Sequence, residues 1–447
     1  LLIFFSSLFL CNFVSKSVLL ESIKIDISPF PNAWESILNW VENYPNVVAF
    51  YPQQVKEYPF GAFPKVIAVG NQKLNLRAPF FESLQSYLHA NPNKKIFGYL
   101  GYDLKNELED LESHHPSIIN WDPMNFFSPD CLLSFDQKHL TIESTDLDYF
   151  KDEIQKTLSF IPSENQEQPS VSRYKSWVSK KEYINKVNQL KNHIVEGDIY
   201  EINYCINYSA TAKRLNPIQV FQKLCSNSPA PFASYLKIDK KHIISSSPER
   251  FLKLKDQKII SQPIKGTASR GLTEKEDLEN KKQLFKSEKE RAENMMIVDL
   301  VRNDLAKSSV SGSVKVDEIF GIYSFQQVHQ MISTVSATKR KEVSSCEVIK
   351  NAFPMGSMTG APKIRAMQLI EDYECSKRNV FSGSIGYFNG AHDFDFNVLI
   401  RSIYYDEKTD AINYQVGSAI TYDSDPETEY EECLLKAKAI EKTLGII

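Results

Sequence analysis

Four glutamates fall in pairs three residues apart within two stretches that are both patterned as helices. In "SEKERAENMMIVDLVRNDLAKS" (287–308), Glu290 and Glu293 share one face, while Met296, Ile297, Leu300, Val301 and Leu305 make an apolar stripe. In "DSDPETEYEECLLKAKAIEKTLG" (423–445), Glu429, Glu432 and Lys436 follow at spacings of three and four. Asp425 reads as the N-cap of that helix, Pro426 as its first position and Gly445 as its stop. Two acidic pairs have the chemistry of an oxygen-rich magnesium site, completed by water and ligand oxygens. The same spacing also suits two solvated faces with ordinary Glu–Lys pairing.

Two further stretches carry chemistry. "QPIKGTASRG" (262–271) places Lys265 before a Gly-Thr pair, where its amine is either a solvated loop group or a nucleophile. "PMGSMTGAPK" (354–363) is a glycine-bracketed turn opening onto the helical "PKIRAMQLIEDY", and free N–H groups at a helix start attract anions. Ala361 and Pro362 separate Gly360 from Lys363, so this is not a Walker loop, and a carboxylate suits it better than a nucleotide phosphate.

These residues need a large frame. A chain of 447 residues exceeds one simple core and implies two domains or one composite fold. The net charge is −4 and basic residues are interleaved with acids, so neither a nucleic-acid surface nor a membrane-binding one is expected. Seven scattered cysteines without a Cys-x-x-Cys argue against a disulfide framework or zinc site and for a reducing cytoplasm. The opening "LLIFFSSLFLCNFV" is too short to span a membrane and lacks a basic flank; with no methionine before Met124, residues 1–18 read as a non-native leader or start-site artefact, the alternative being an anchor. Short β-branched runs ("NVVAFY", "KVIAVG", "CLLSFD") alternate with helices in 19–161, and a polar tract at 162–173 reads as a linker or surface loop. Residues 174–447 continue with helices at 180–196, 274–306, 361–372 and 426–444 among strands, an α+β pattern without regular βαβ units.

Taken in order, "GDIYEINY", "SPERFL", "PIKGT", "RAENMMIVDLVRNDL", "FPMGSMTGAPKIRA", "SGSIGYF" and "DSDPETEYEE" resemble the chorismate-utilising enzymes. That family includes component I of anthranilate synthase and of aminodeoxychorismate synthase. The resemblance implies an α+β fold, a two-sheet β-sandwich core wrapped by helices, with residues 174–447 as the chorismate-binding catalytic region. It implies Mg2+ held directly by Glu293 and Glu432, with Glu290 and Glu429 on metal-bound waters. Substrate carboxylates would meet Arg401, Lys436 and the backbone around Thr359–Gly360 and Gly417–Ser418, with Glu201 nearby.

Within the resemblance, a lysine before Gly-Thr marks the aminodeoxychorismate branch, where anthranilate synthases usually have alanine. Lys265 would then attack C2 of the ring as a neutral amine, its pKa lowered by desolvation and the nearby cation. Glu249 would be the general acid and His329 a hydrogen-bond partner or proton carrier near the C4 oxygen. "SPAPFASYL" points to the same branch, whereas "LLES" at 19–22 echoes the anthranilate synthases. No cysteine has Gly-x-Cys-x-Gly flanks, so ammonia would come from a separate glutamine amidotransferase subunit. Anthranilate synthase component I and a non-catalytic chorismate-binding subunit are the alternatives. Glu201, Phe381, Ser269 and Ala419 depart from the commoner glutamine, tyrosine, proline and glycine.

Overall fold

Val48 and Phe50 in the Asn46–Phe50 strand face one apolar cluster while Val47 and Ala49 face another, so the whole of "NVVAF" is buried. That strand belongs to the larger of two sheets in a computed structural model that describes residues 21–53, 58–159, 170–326 and 328–446. The sequence segment read as a leader lies outside them. Among the described residues the larger sheet has twelve strands and the smaller nine. One cluster fills the space between the sheets, with Val48, Phe50 and Leu236 from the larger packed against Ile96, Phe126 and Phe396 from the smaller. The other cluster lies under helices on the far face of the larger sheet, around Ile202, Ile206, Leu369 and Ile440.

Both sheets draw strands from each side of the polar tract. Asn46–Phe50 pairs with Phe232–Ile238, and Lys95–Leu100 pairs with Ser384–Asn389. The regions 19–161 and 174–447 are therefore interleaved in the same two layers. Residues 162–169 of the tract lie outside the described part, and its end is ordered: Ser170–Ser176 pairs with Glu201–Lys213. The helical reading of 274–306 divides into Glu274–Lys286 and Glu288–Ala306. Ser287 makes the break, because its side chain accepts from Glu290 N–H and so caps the second helix. The last helix, Pro426–Leu444, has the expected ends, with Asp425 accepting from Thr428 N–H and Gly445 left-handed at φ 69°.

One buried ion pair locks three elements around the 356–361 turn. Arg378 and Glu374 are almost fully buried. The guanidinium reaches Glu374 Oε1 at 2.6 Å, the carbonyl of Met358 at 2.6 Å and that of Asn203 at 2.9 Å, and lies 4.8 Å from the Tyr102 ring centre. Glu374 Oε1 also accepts from Cys205 N–H. Removing one partner strands the other charge in the core. Arg378→Ala is therefore expected to cost about 3–5 kcal/mol of stability. Arg378→Lys should recover only part, because an ammonium cannot reproduce the fork; thermal and denaturant unfolding of the three proteins checks the order.

Candidate active site

The short Gly360–Ala361 strand ends the larger sheet and Ile264–Ser269 ends the smaller; the helix Glu288–Ala306 packs on both ends, and Pro426–Leu444 packs on the Ala411–Ile420 strand of the larger sheet. Glu201 opens the strand beside Gly360–Ala361 and pairs with Ala361. The contact leaves no space for a side chain at residue 360: Gly360 has φ 149°, and a Cβ there would lie 2.2 Å from the Glu201 carbonyl oxygen. Lys265 enters from the opposite sheet, at a strand irregularity between Ile264 and Thr267. Gly266 follows at φ 92°, with a Glu290 carboxylate oxygen only 2.9 Å from where a Cβ would stand. The Lys-Gly order of "PIKGT" thus lets a lysine and a glutamate share one place.

The Lys265 ammonium donates to Glu201 Oε1, and both side chains are buried. Burial alone would lower the lysine pKa. The charge of Glu201, followed by that of Glu293, outweighs it and holds Lys265 above the ordinary lysine range. This reverses the expected fall: the partner is a carboxylate 64 residues away in sequence, invisible to any local reading. Glu249 is 4% exposed and accepts from Ser357 Oγ at 2.7 Å. Its burial is the larger effect and pushes its pKa up to about 7. Glu293 is likewise raised to about 7 by burial, and its Oε1 is buried without a hydrogen-bond partner. Burial also raises Glu290.

Glu429 is buried and accepts from Ser418 Oγ. Glu432 faces Lys436 at 2.7 Å; burial would raise its pKa, but the charge and hydrogen bond of Lys436 outweigh it and bring it below the ordinary value. Lys436 also donates to the Gly417 carbonyl at 2.9 Å. Lys289 lies between the two acidic helices, 3.4 Å from Glu429 and 3.9 Å from Glu293. Among the described residues the four glutamates do not converge on one point; the one trio whose ligand atoms lie within 4.8 Å is His193, Glu196 and Asp198, in which His193 already pairs with Asp198 and Tyr373. Glu293 Oε1 has no hydrogen bond and faces Lys289 at 3.9 Å, so these carboxylates are the residues that could hold a hard cation.

A family model described as chorismate binding enzyme matches residues 43–442. The chain belongs to the chorismate-binding enzymes. It is 42% identical over 269 residues to a probable chloroplastic aminodeoxychorismate synthase of Oryza sativa subsp. japonica, covering 60% of this chain and 30% of that protein. It is 38% identical over 277 residues to aminodeoxychorismate synthase component 1 of Escherichia coli K12, covering 61% of this chain and 60% of the relative. This chain thus spans under a third of the rice protein's length and three fifths of the bacterial one's. Anthranilate synthase component I from Streptococcus pneumoniae TIGR4 shares the fold with a TM-score of 0.72 at 24% identity, over 90% of this chain and 93% of that one.

In this chorismate-binding enzyme several sequence-selected residues stand apart from the Lys265 group. His329 is fully buried on the opposite side of its strand, between Ser324 Oγ at 2.9 Å and Asp277 at 3.1 Å. Strand alternation turns the next residue, Gln330, the other way, into a cleft shared with Arg401, Pro248 and Ala230. The Gln330 amide oxygen is buried there without a partner. Period-two reading of "VHQMIST" would have separated His329 and Met331 from Gln330 and Ile332. Arg401, at φ 50°, lines the same cleft, and burial lowers its pKa. Thr359 is fully buried, with its hydroxyl on the Met355 carbonyl and its N–H on Gly356, so the turn consumes those groups. Ser357 and Lys289 were not singled out from sequence, though Ser357 lies within the quoted turn and Lys289 within the acidic helix.

The raised Glu249 pKa has a consequence for stability. Unfolded, the carboxyl titrates near 4.3; folded, near 7. The folded state therefore binds the proton more tightly, and stability is lost as pH rises from the first value through the second. Without ligands, Glu249→Gln should unfold at a higher temperature than wild type at pH 8, by up to about 3 kcal/mol. The gap should narrow to about 1 kcal/mol at pH 5 and close below about pH 4; a pH series of thermal scans measures it.

Proposed function

We propose that this chain is component I of an aminodeoxychorismate synthase. It would replace the C4 hydroxyl of chorismate by an amino group, using ammonia from a glutamine amidotransferase subunit, to give 4-amino-4-deoxychorismate for para-aminobenzoate and folate synthesis. The observation that carries this reading is Lys265, a buried amine facing Glu201 with Glu249 close enough to influence it. The similarity to the rice and E. coli aminodeoxychorismate synthases supports it.

In this reading Lys265, once deprotonated, bonds to C2 of the ring as the C4–O bond breaks and the double bond shifts. Hydroxide is a poor leaving group, so Glu249 gives it a proton and it departs as water; a carboxyl titrating near 7 suits that task at neutral pH. Ammonia then bonds to C4 and the C2–N bond breaks. Mg2+ would supply positive charge for the substrate carboxylate when held by Glu293 and Glu432, with Glu290 and Glu429 on its waters. Arg401 and Lys436 offer further cations for a dianion, Arg401 through its planar fork. Gln330, rather than His329, is the polar side chain on the Arg401 side of the strand. Among the described residues no helix is long and apolar enough to cross a membrane. A cytoplasmic setting is part of the proposal, supported by the bacterial relative and by six free cysteines among those residues.

The competing reading is anthranilate synthase component I, favoured by relatives of that name at 36% and 31% identity. The product distinguishes them. Purified protein given chorismate, Mg2+ and ammonium should form aminodeoxychorismate, which keeps the enolpyruvyl group; anthranilate with free pyruvate would establish the rival. Intact-protein mass spectrometry should find a substrate adduct on wild type and none on Lys265→Ala, whose residual amination requires high ammonia. Wild-type rates for Lys265→Ala at low ammonia would reduce Lys265 to an electrostatic contact.

The metal assignment has its own test. Glu293→Gln and Glu432→Gln should each weaken Mg2+ binding about tenfold or more by calorimetry, since an open carboxylate site depends on charge. Both should keep the wild-type circular dichroism. Full activity in excess EDTA would end the magnesium assignment.

A further inference from the structure

We propose that Glu201 is a positioning residue that holds Lys265 as an ammonium ion in the empty site and receives its proton when the amine acts. The inference rests on the reading of Lys265 as the nucleophile. Glu201 is 1% exposed, and its backbone is fixed by pairing with Ala361 and by close approach of Gly360. Its Oε1 accepts from Lys265, while Oε2 is buried with no hydrogen bond. The carboxylate therefore has one polar partner, and that partner is the lysine.

Other charges face Lys265 from every element around it: Glu249 ahead of the Arg250–Lys255 strand, Glu290 and Glu293 from the helix above, and Glu432 from the last helix, itself paired with Lys436. Lys289 answers Glu293 and Glu429. Of all these, Glu201 alone is in hydrogen-bond contact with the Lys265 amine among the described residues. A metal between the two helices would offset the glutamates there and leave the Glu201 contact in place.

The step balances without another reagent. The ammonium passes one proton to Glu201 Oε1, leaving a neutral amine beside a carboxylic acid. The amine lone pair forms the N–C2 bond as the C4–O bond breaks, and the hydroxide leaves as water with the Glu249 proton. After ammonia bonds to C4, its surplus proton returns to Glu249. The C2–N bond breaks, and the freed amine recovers its proton from Glu201. The site is then as it began.

Lysine ε-carbon NMR on 13C-lysine-labelled protein reads this contact without chorismate or magnesium, the Lys265 signal being the one lost in Lys265→Ala. Wild-type Lys265 should stay in its ammonium form through pH 10. In Glu201→Gln its midpoint should fall by about one pH unit or more. Glu201→Asp, with the charge kept on a shorter side chain, should fall between. The rising limb of the amination rate against pH should move in the same direction and order. A midpoint unchanged or raised in either variant overturns the proposal, and Glu201→Asp decides alone if Glu201→Gln does not fold. Wild-type protein that never aminates chorismate would sink the proposed function while leaving the titration readable.

Discussion

Negative charge gathered out of water is the constraint around which this molecule is arranged. Among the described residues, the cations that face Glu201, Glu249, Glu290, Glu293, Glu429 and Glu432 at the junction of the two sheets are Lys265, Lys289 and Lys436. Six carboxylates against three ammonium groups leave a formal excess of three negative charges if all ionise. Burial relieves part of this by holding Glu249 and Glu293 near 7, so neither is fully ionised at neutral pH. The remainder explains why each lysine sits where it does. Lys265 is clamped to the most deeply buried acid, Lys289 spans two helices, and Lys436 lowers the pKa of Glu432. A dianionic substrate cannot enter such a place unless positive charge is added, which is the physical argument for a divalent cation in the proposed reaction.

The fold brings these acids together by ending things. Two sheets terminate at the same spot, one helix begins at the Ser287 cap, and another begins at Asp425. The caps matter to the chemistry because they set the rotation of each helix. Shifting the Ser287 cap by one residue would swing Glu290 and Glu293 about 100° around the helix axis, since an α-helix has 3.6 residues per turn. Gly266 and Gly360 serve the same end from the sheet side, each at a positive φ and each with a glutamate against its missing side chain.

What was legible in the sequence follows from how local each feature is. The i, i+3 glutamate pairs and the Asp425–Pro426 start depend on a single turn of chain, and both are present. The two-sheet α+β architecture followed from motif order, but the strands shared across the tract followed from nothing local, because Asn46–Phe50 finds one of its two partners nearly two hundred residues away. The break at Ser287 was hidden by continuous helical patterning on both sides, although a serine three before Glu290 is a cap signal. Ser170–Ser176 reads as polar loop, yet it forms a strand because Glu201–Lys213 offers it a ladder. His329 was placed by the family resemblance, and in the folded chain its ring lies against Asp277. For the Lys265 pKa, desolvation could be inferred from sequence, whereas the opposing carboxylate of Glu201 required the folded chain.

The contrast between satisfied and unsatisfied buried polar groups separates frame from site. Arg250 is fully buried, yet its guanidinium is bonded to Asp395, Gln262 and the Gly61 carbonyl. Arg378 is saturated in the same way, and Lys363 bonds Asp304 at 2.6 Å and the Ala352 carbonyl at 3.0 Å. These ions are each held by several partners and act as rivets. By comparison Glu201 Oε2, Glu293 Oε1 and the Gln330 amide oxygen are buried with capacity unused. Each such atom costs stability, of order 1–3 kcal/mol for a neutral group and more for a charged one. A chain selected for stability alone would have paired them, as it paired the arginines. Two of them, Glu201 Oε2 and Glu293 Oε1, belong to acids that face Lys265, so the buried arginine clamps and these under-bonded acids are two parts of one arrangement.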